Sequence, residues 1–239
     1  MTESAKMGLN RTGVQMSPKD SPEMKKIAEE TGADVPGDAG ELARERAAYV
    51  SGAERIGSVP LPGTAKGAVK TGIEKMTGKN PEVFLDKLGQ RLAFERSGVR
   101  LYEALLAKAE GLNLPHEIRA KLEHFKKEEA EHMQIVKECM ETLGADPTAM
   151  TPCADVSGVS AIGPLQVLTD PRTNFAQSLD AMLTIELTDN AAWELLIELA
   201  EKLGQEEMAT RFRHALTQEE HHLETVKSWL SGQMTEQLA

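Results

Sequence analysis

Four glutamates stand where amphipathic helices should carry apolar side chains. Read at the helical period, Glu95 interrupts the stripe Leu88, Leu92, Val99, Tyr102 and Leu106, and Glu129 the stripe Leu122, Phe125, Met133 and Val136. Glu186 falls among Leu179, Leu183, Trp193 and Ile197, and Glu219 among Phe212, Leu216, Leu223 and Val226. A fold that buries these stripes also buries the four carboxylates, and an unpaired buried carboxylate costs several kcal/mol. Such a fold must therefore bring positive charge to the same place. The acids also recur in order: Glu95, Tyr102, Glu129 and His132 return about ninety residues later as Glu186, Trp193, Glu219 and His222. That spacing reads as a duplicated helical hairpin, each copy offering one lone glutamate and one Glu-x-x-His pair.

The rest of the chain arranges itself around this repeat. Residues 1–80 are punctuated by glycine and proline from Gly32 to Gly78, which predicts an irregular, extended N-terminal arm with short helices at 21–30 and 41–49. From Pro81 the apolar period predicts four long helices, over 81–110, 115–143, 174–203 and 206–230, with residues 231–239 left as a tail. The links at 111–115 and 204–205 are short enough to make antiparallel hairpins. The stretch 144–173 is rich in Gly and Pro, with a short helix expected at 165–168, and is long enough to cross back along a bundle.

Composition removes several function classes. Net charge is −11, from 38 acidic against 27 basic side chains, which argues against a sequence-independent grip on nucleic acid or an anionic membrane. No run approaches the roughly eighteen apolar residues of a membrane span, and no apolar segment follows the opening MTESAKMGLNRTG, so the expectation is a soluble, cytoplasmic protein. Cys139 and Cys153 are the only cysteines and form no CxxC, which excludes a cysteine-ligated zinc or rubredoxin-type iron site. Any metal must be held by carboxylates and imidazoles.

The spacing of the candidate ligands fits that requirement. Residues three apart on a helix share a face, so Glu129 with His132, and Glu219 with His222, reach one ion or a close pair. Glu95 and Glu186 complete a set of four Glu and two His, as terminal or bridging groups. A mixed oxygen and nitrogen set suits iron or manganese better than magnesium or calcium. The competing compensation for the acids is pairing with Arg91, Arg96, Arg100, Arg211 or Arg213. It is the weaker reading, because none of these is read on an acid-bearing stripe.

The motifs LAFERSGVRLYEAL, KKEEAEHM, LTIELTDNAAWELL and TQEEHHLE carry these residues, and over about residues 81–230 they resemble the ferritin-like superfamily of dinuclear carboxylate proteins, most of all its rubrerythrin-related branch. The resemblance implies an all-α fold: a ferritin-like antiparallel four-helix bundle with a long crossover between its second and third helices. It also implies two Fe ions, or alternatively two Mn ions, held by Glu95, Glu129, His132, Glu186, Glu219 and His222. The chemistry implied is that of an oxidase or peroxidase acting on dioxygen, peroxide or ferrous iron, with no catalytic group beyond the ligands. The rubredoxin module of rubrerythrin is absent, so the electron donor is unidentified. Two other readings stand beside it: a di-manganese catalase, and a structural or interaction protein that retains a metal site.

The remaining residues have plainer roles. Tyr102 and Trp193 are read as core packing, Cys139 as a buried thiol, and His124 and His214 as surface or bundle-edge groups. Glu128, Glu131, Glu220 and His221 flank the ligands as solvated or supporting groups, and Asp189 and Asn190 are expected to support the ligands from behind. The arm is expected to embrace a second copy of the chain, giving a homodimer.

Overall fold

The computed structural model describes residues 19–31, 38–61 and 80–238, and among these the regular structure is entirely helical. The chain divides into two units, Met1–Arg55 and Ile56–Ala239. In the first, the short helices expected near the N-terminus are α1 (Asp20–Glu30) and α2 (Ala39–Gly52). Asp38 caps α2, its carboxylate accepting from the Glu41 amide at 2.6 Å. Neither helix buries a side chain. The irregular character expected at 1–18, 32–37 and 62–79 lies outside the described residues.

The second unit holds α3 (Pro81–Gly111), α4 (His116–Thr142), α5 (Pro152–Ser160), α6 (Ile162–Thr169), α7 (Phe175–Lys202) and α8 (Glu206–Leu238). The four long helices are those expected, except that α8 runs on past Leu230 to Leu238, so the residues expected as a tail are helical up to that point. The helix boundaries have local causes. Pro81 fills the first turn of α3, where its missing N–H costs nothing. Asn174 and Gln177 form a reciprocal capping box on α7, each side chain bonding the other's backbone N–H at 2.9 Å. Gly144 and Gly204 adopt positive φ, 82° and 70°, just past the ends of α4 and α7.

The helices pack chiefly as the pairs α3 with α4 and α7 with α8, and α3 also meets α7 while α4 meets α8. The segment between α4 and α7 folds into two short helices where one was expected, and it is pinned against α3 at both ends. Near the start of α3 the Cys153 amide donates to Asp86 at 2.8 Å, and Thr151 sits where a Cβ on Gly89 would be. Near its end Lys108 donates to the carbonyls of Asp170 and Thr173 at 2.8 and 2.9 Å.

The core has two apolar clusters. Phe84, Leu88, Val136, Met140, Trp193, Leu196 and Phe212 belong to one. Leu101, Tyr102, Phe125, Leu179, Ile185 and Val226 belong to the other. Along every long helix the chain passes from one cluster to the other across a polar layer: Glu95 on α3, Glu129 and His132 on α4, Glu186 and Asp189 on α7, Glu219 and His222 on α8. Apolar packing on both sides thus holds seven ionisable groups away from water.

Candidate metal centre

Each of the six expected ligands is fully buried, at 0 % exposure. They meet as two groups that each include one imidazole, and Asp189 joins Glu95, Glu129 and Glu219 in a third, all-carboxylate group. Glu95, His132 and Glu219 present ligand atoms within 4.8 Å of one another, and so do Glu129, Glu186 and His222. Each group takes residues from both hairpins. His132 turns Nδ1 inward, 2.7 Å from Oε1 of Glu219 and 3.8 Å from Oε2 of Glu95. His222 does the same, its Nδ1 lying 3.1 Å from Oε2 of Glu219, 3.8 Å from Oε1 of Glu129 and 4.0 Å from Oε2 of Glu186. Glu219 therefore spans the two groups, one oxygen toward each imidazole.

The lone glutamates keep one oxygen each for the centre. Oε1 of Glu95 is 2.7 Å from Nε of Arg91, and Oε1 of Glu186 accepts from the Tyr102 hydroxyl at 2.5 Å. The inward atoms have no such partner. Both oxygens of Glu129 and Glu219, Oε2 of Glu186, and Nδ1 of both histidines are buried with no hydrogen-bond partner outside the layer and face only one another, as in the His132–Glu219 pair. Orphaned atoms of this kind are rare in native interiors and call for an explanation. A convergent set of oxygens and imidazole nitrogens is what a divalent transition metal ion would satisfy.

Behind the imidazoles lies a hydrogen-bonded chain. Nε2 of His132 is 3.0 Å from Oε1 of Gln218, Nε2 of Gln218 donates to Oε1 of Glu128 at 2.6 Å, and Oε2 of Glu128 is 2.9 Å from Nε2 of His222. Acceptors on the outer nitrogens hold the proton there and leave Nδ1 free to face inward. Asn190 donates to the backbone carbonyls of Glu186 and Glu219, at 2.9 and 3.2 Å, tying α7 to α8 beside the centre.

Burial without metal drives the acids toward their neutral forms. Glu95, Glu129 and Glu186 are all raised well above the ordinary carboxylate range, chiefly by desolvation. Asp189 is raised to about 7, again by burial, against the pull of Arg91. Glu219 is the exception: burial would raise it, but His132 and His222 hold it down at about 2. His132 rises to about 9 because Glu219 and Glu95 outweigh its desolvation.

One sequence expectation is corrected here. Arg91 lies one turn before Glu95, is 2 % exposed, and pairs with both Glu95 and Asp189, the latter through NH1 to Oδ1 at 2.8 Å. It reaches the layer because its long side chain passes Phe94, whose ring centre is 4.2 Å from the guanidinium carbon. Arg96 and Arg100 are exposed, while Arg211 and Arg213 pair elsewhere, with Glu138 and Glu201. Tyr102 does more than pack, since its hydroxyl holds Glu186. Trp193 packs as expected, Cys139 is buried as a thiol, and Glu131, Glu220, His124 and His221 are exposed. Gln218 and Gly98 were missed. A Cβ on Gly98 would overlap the Glu129 carboxylate, so only glycine leaves room there. The repeat held a signal for both: Gln218 is the counterpart of Glu128, and Gly98 the counterpart of Asp189.

A family model described as "Domain of unknown function (DUF892)" matches residues 79–239. No curated protein and no solved structure matches the chain. Among the described residues no helix is long and apolar enough to cross a membrane.

Proposed function

This chain belongs to the DUF892 family, and we propose that its buried layer holds two metal ions, iron in the preferred reading, within a ferritin-like four-helix bundle that acts on dioxygen, peroxide or ferrous iron. The observation that carries the reading is the pair of oxygen-oxygen-nitrogen groups joined by Glu219, with their inward atoms buried and facing only one another. The bundle reading is supported by the order in which the helices cross the two clusters: α3 and α8 in one sense, α4 and α7 in the other. Parallel α4 and α7 require a crossover between them, the role given to α5 and α6 along α3.

Charge supports the number of ions. Glu95, Glu129, Glu186, Asp189 and Glu219, set against Arg91, leave four negative charges among fully buried groups, which two divalent cations neutralise. Glu129, Glu186 and His222 would hold one ion, Glu95 and His132 the other, with Glu219 reaching both. When bound, such a pair supplies two-electron redox chemistry toward a small oxidant. The chain's own part is to hold each imidazole proton on Nε2, to hold the outer oxygens of Glu95 and Glu186, and to exclude water by packing Phe125, Trp193 and Phe212 around the layer. Complete burial of all six ligands favours a reactant as small as dioxygen, peroxide or a metal ion over a bulky organic substrate.

The test is metal content per chain, measured by elemental mass spectrometry on protein purified without chelators or a metal-binding tag. Two irons support the oxidase or peroxidase reading, and peroxide should then change the optical spectrum. Two manganese ions move the reading to a catalase. No metal, even after anaerobic loading with ferrous iron, sinks the dinuclear centre.

A further inference from the structure

We propose that the two metal positions are unequal by construction: the position at Glu129, Glu186 and His222 takes the first ion and retains it, and the position at Glu95 and His132 takes the second and exchanges it. The inference rests on the dinuclear reading and comes from what stands behind each ligand. Oε1 of Glu186 accepts from a neutral phenol, Tyr102, at 2.5 Å, whereas Oε1 of Glu95 faces the full positive charge of Arg91 at 2.7 Å. A guanidinium draws charge from the carboxylate it touches and also repels any cation bound by the other oxygen. Asp189 meets the same guanidinium at 2.8 Å, with an oxygen within 4.8 Å of Glu95, Glu129 and Glu219, and offsets part of its charge, but Arg91 is the group in contact with Glu95.

The imidazoles differ in the same direction. His222 gives its outer proton to a carboxylate, Glu128, at 2.9 Å, while His132 gives its own to an amide, Gln218, at 3.0 Å. A carboxylate on the outer nitrogen makes the inner one a stronger donor to metal. The amide cannot reverse its role, because its nitrogen is already engaged by the other oxygen of Glu128 at 2.6 Å. One carboxylate therefore strengthens His222 directly and fixes the weaker acceptor on His132.

The experiment is a stepwise anaerobic titration of the metal-stripped full-length protein with Mn(II), followed by electron paramagnetic resonance. The expected result is a mononuclear signal through the first equivalent and a coupled-pair signal only through the second, with dissociation constants at least about tenfold apart. Glu128→Gln removes the carboxylate at a position that touches the protein edge, and should weaken the first step by about ten- to a hundredfold while changing the second little. Arg91→Met should tighten the second step. Circular dichroism confirms that each variant is folded, and Glu131→Gln, at an exposed site beside the same ligands, serves as the control. A coupled signal from the first addition, or equal weakening of both steps by Glu128→Gln, overturns the inequality and leaves the dinuclear reading standing. Failure of the wild-type protein to bind Mn(II) or ferrous iron overturns the dinuclear reading itself.

Discussion

The hairpin α3–α4 and the hairpin α7–α8 agree at the three acids and histidines that each sends into the centre and differ at most of the side chains around them. Glu95 matches Glu186, Glu129 matches Glu219, and His132 matches His222. Even the aromatic neighbours are placed alike: Trp193 meets His132 edge-on with ring centres 5.7 Å apart, and Tyr102 meets His222 edge-on at the same distance. The differing pairs are Arg91 and Met182, Gly98 and Asp189, Glu128 and Gln218, and Tyr102 and Trp193. These differences interlock. Arg91 of the first hairpin grips Asp189 of the second, Glu128 grips Gln218, and Tyr102 grips Glu186. Two copies of either hairpin would supply the same acids and histidines but not the Arg91–Asp189 and Glu128–Gln218 contacts. The repeat accounts for the matched acids and histidines, and the divergence makes the partner of each hairpin specific.

Breaking the charged contact should have the largest effect. Arg91→Met installs the residue that the second hairpin carries at the equivalent position, and it strands Glu95 and Asp189 without their buried cation. A loss of about 3–5 kcal/mol is expected in the metal-free protein, read from urea unfolding. The double variant Arg91→Met, Asp189→Gly makes the hairpins alike here and removes one stranded charge, so it should recover part of that loss. If its destabilisation equals the sum of the two single variants, the pair is not coupled and the interlocking view fails.

Next in size is the response to pH, which separates the metal-free layer from the loaded one. Asp189 titrates near 7 in the fold against about 3.8 unfolded, so its contribution is complete below about pH 3.8 and is lost as pH rises through 7. His132, near 9 against 6.5, contributes fully below 6.5 and loses that contribution through 9. Glu219 acts oppositely and only in acid, losing its contribution as pH falls from about 4.5 through about 2. Metal-free protein should therefore be most stable in mild acid and weaken steadily toward pH 9. Bound metal should reverse the trend, because it requires deprotonated ligands. Thermal melts of both forms at pH 5 and pH 9 check this, and parallel trends would count against a metal role for the layer.

Gly98→Ala should do less to stability and more to metal. The new methyl displaces the end of a buried side chain rather than backbone, so about 1–3 kcal/mol is expected, with helicity kept. Bound metal should fall below two ions per chain because Glu129 moves. Gly111→Ala, which meets nothing within 4 Å, should change neither. Unchanged metal content in Gly98→Ala would mean that Glu129 is not a ligand.

The layer's buried acids were legible because an acid on an apolar stripe is a local anomaly, visible in one helix at a time. The repeat then grouped Glu95, Glu129, His132, Glu186, Glu219 and His222 without tertiary information. Arg91 was not legible in the same way. It falls beside the stripe through Leu88 and Leu92 rather than on it, and its burial depends on Asp189, supplied by another helix. Gly98 reads in isolation as a weak point in a helix, and its purpose appears only once Glu129 is seen opposite. Past Leu230, where the apolar period ends, no proline follows and Met234 to Leu238 are mostly good helix formers, so α8 continues.

The smallest effect should come from Tyr102→Phe, and it tests whether the aromatic pair differs in anything beyond one hydroxyl. The ring stays, and with it the edge-on contacts to Phe125 and His222, each at 5.7 Å. What is lost is one donor to Oε1 of Glu186. Burial and the neighbouring Glu186 charge push the Tyr102 hydroxyl well above its ordinary range, so in the native protein it is a neutral donor at any working pH. Glu186 is itself driven toward its neutral form by burial in the absence of metal, so losing the bond should cost only about 0.5–1.5 kcal/mol, measured by urea unfolding of the metal-free protein. With metal present, the freed oxygen makes Glu186 a slightly stronger ligand and should widen the gap between the two binding steps. A loss much above 3 kcal/mol, or a gap that narrows, would mean that the hydroxyl holds more of the layer together than Glu186 alone.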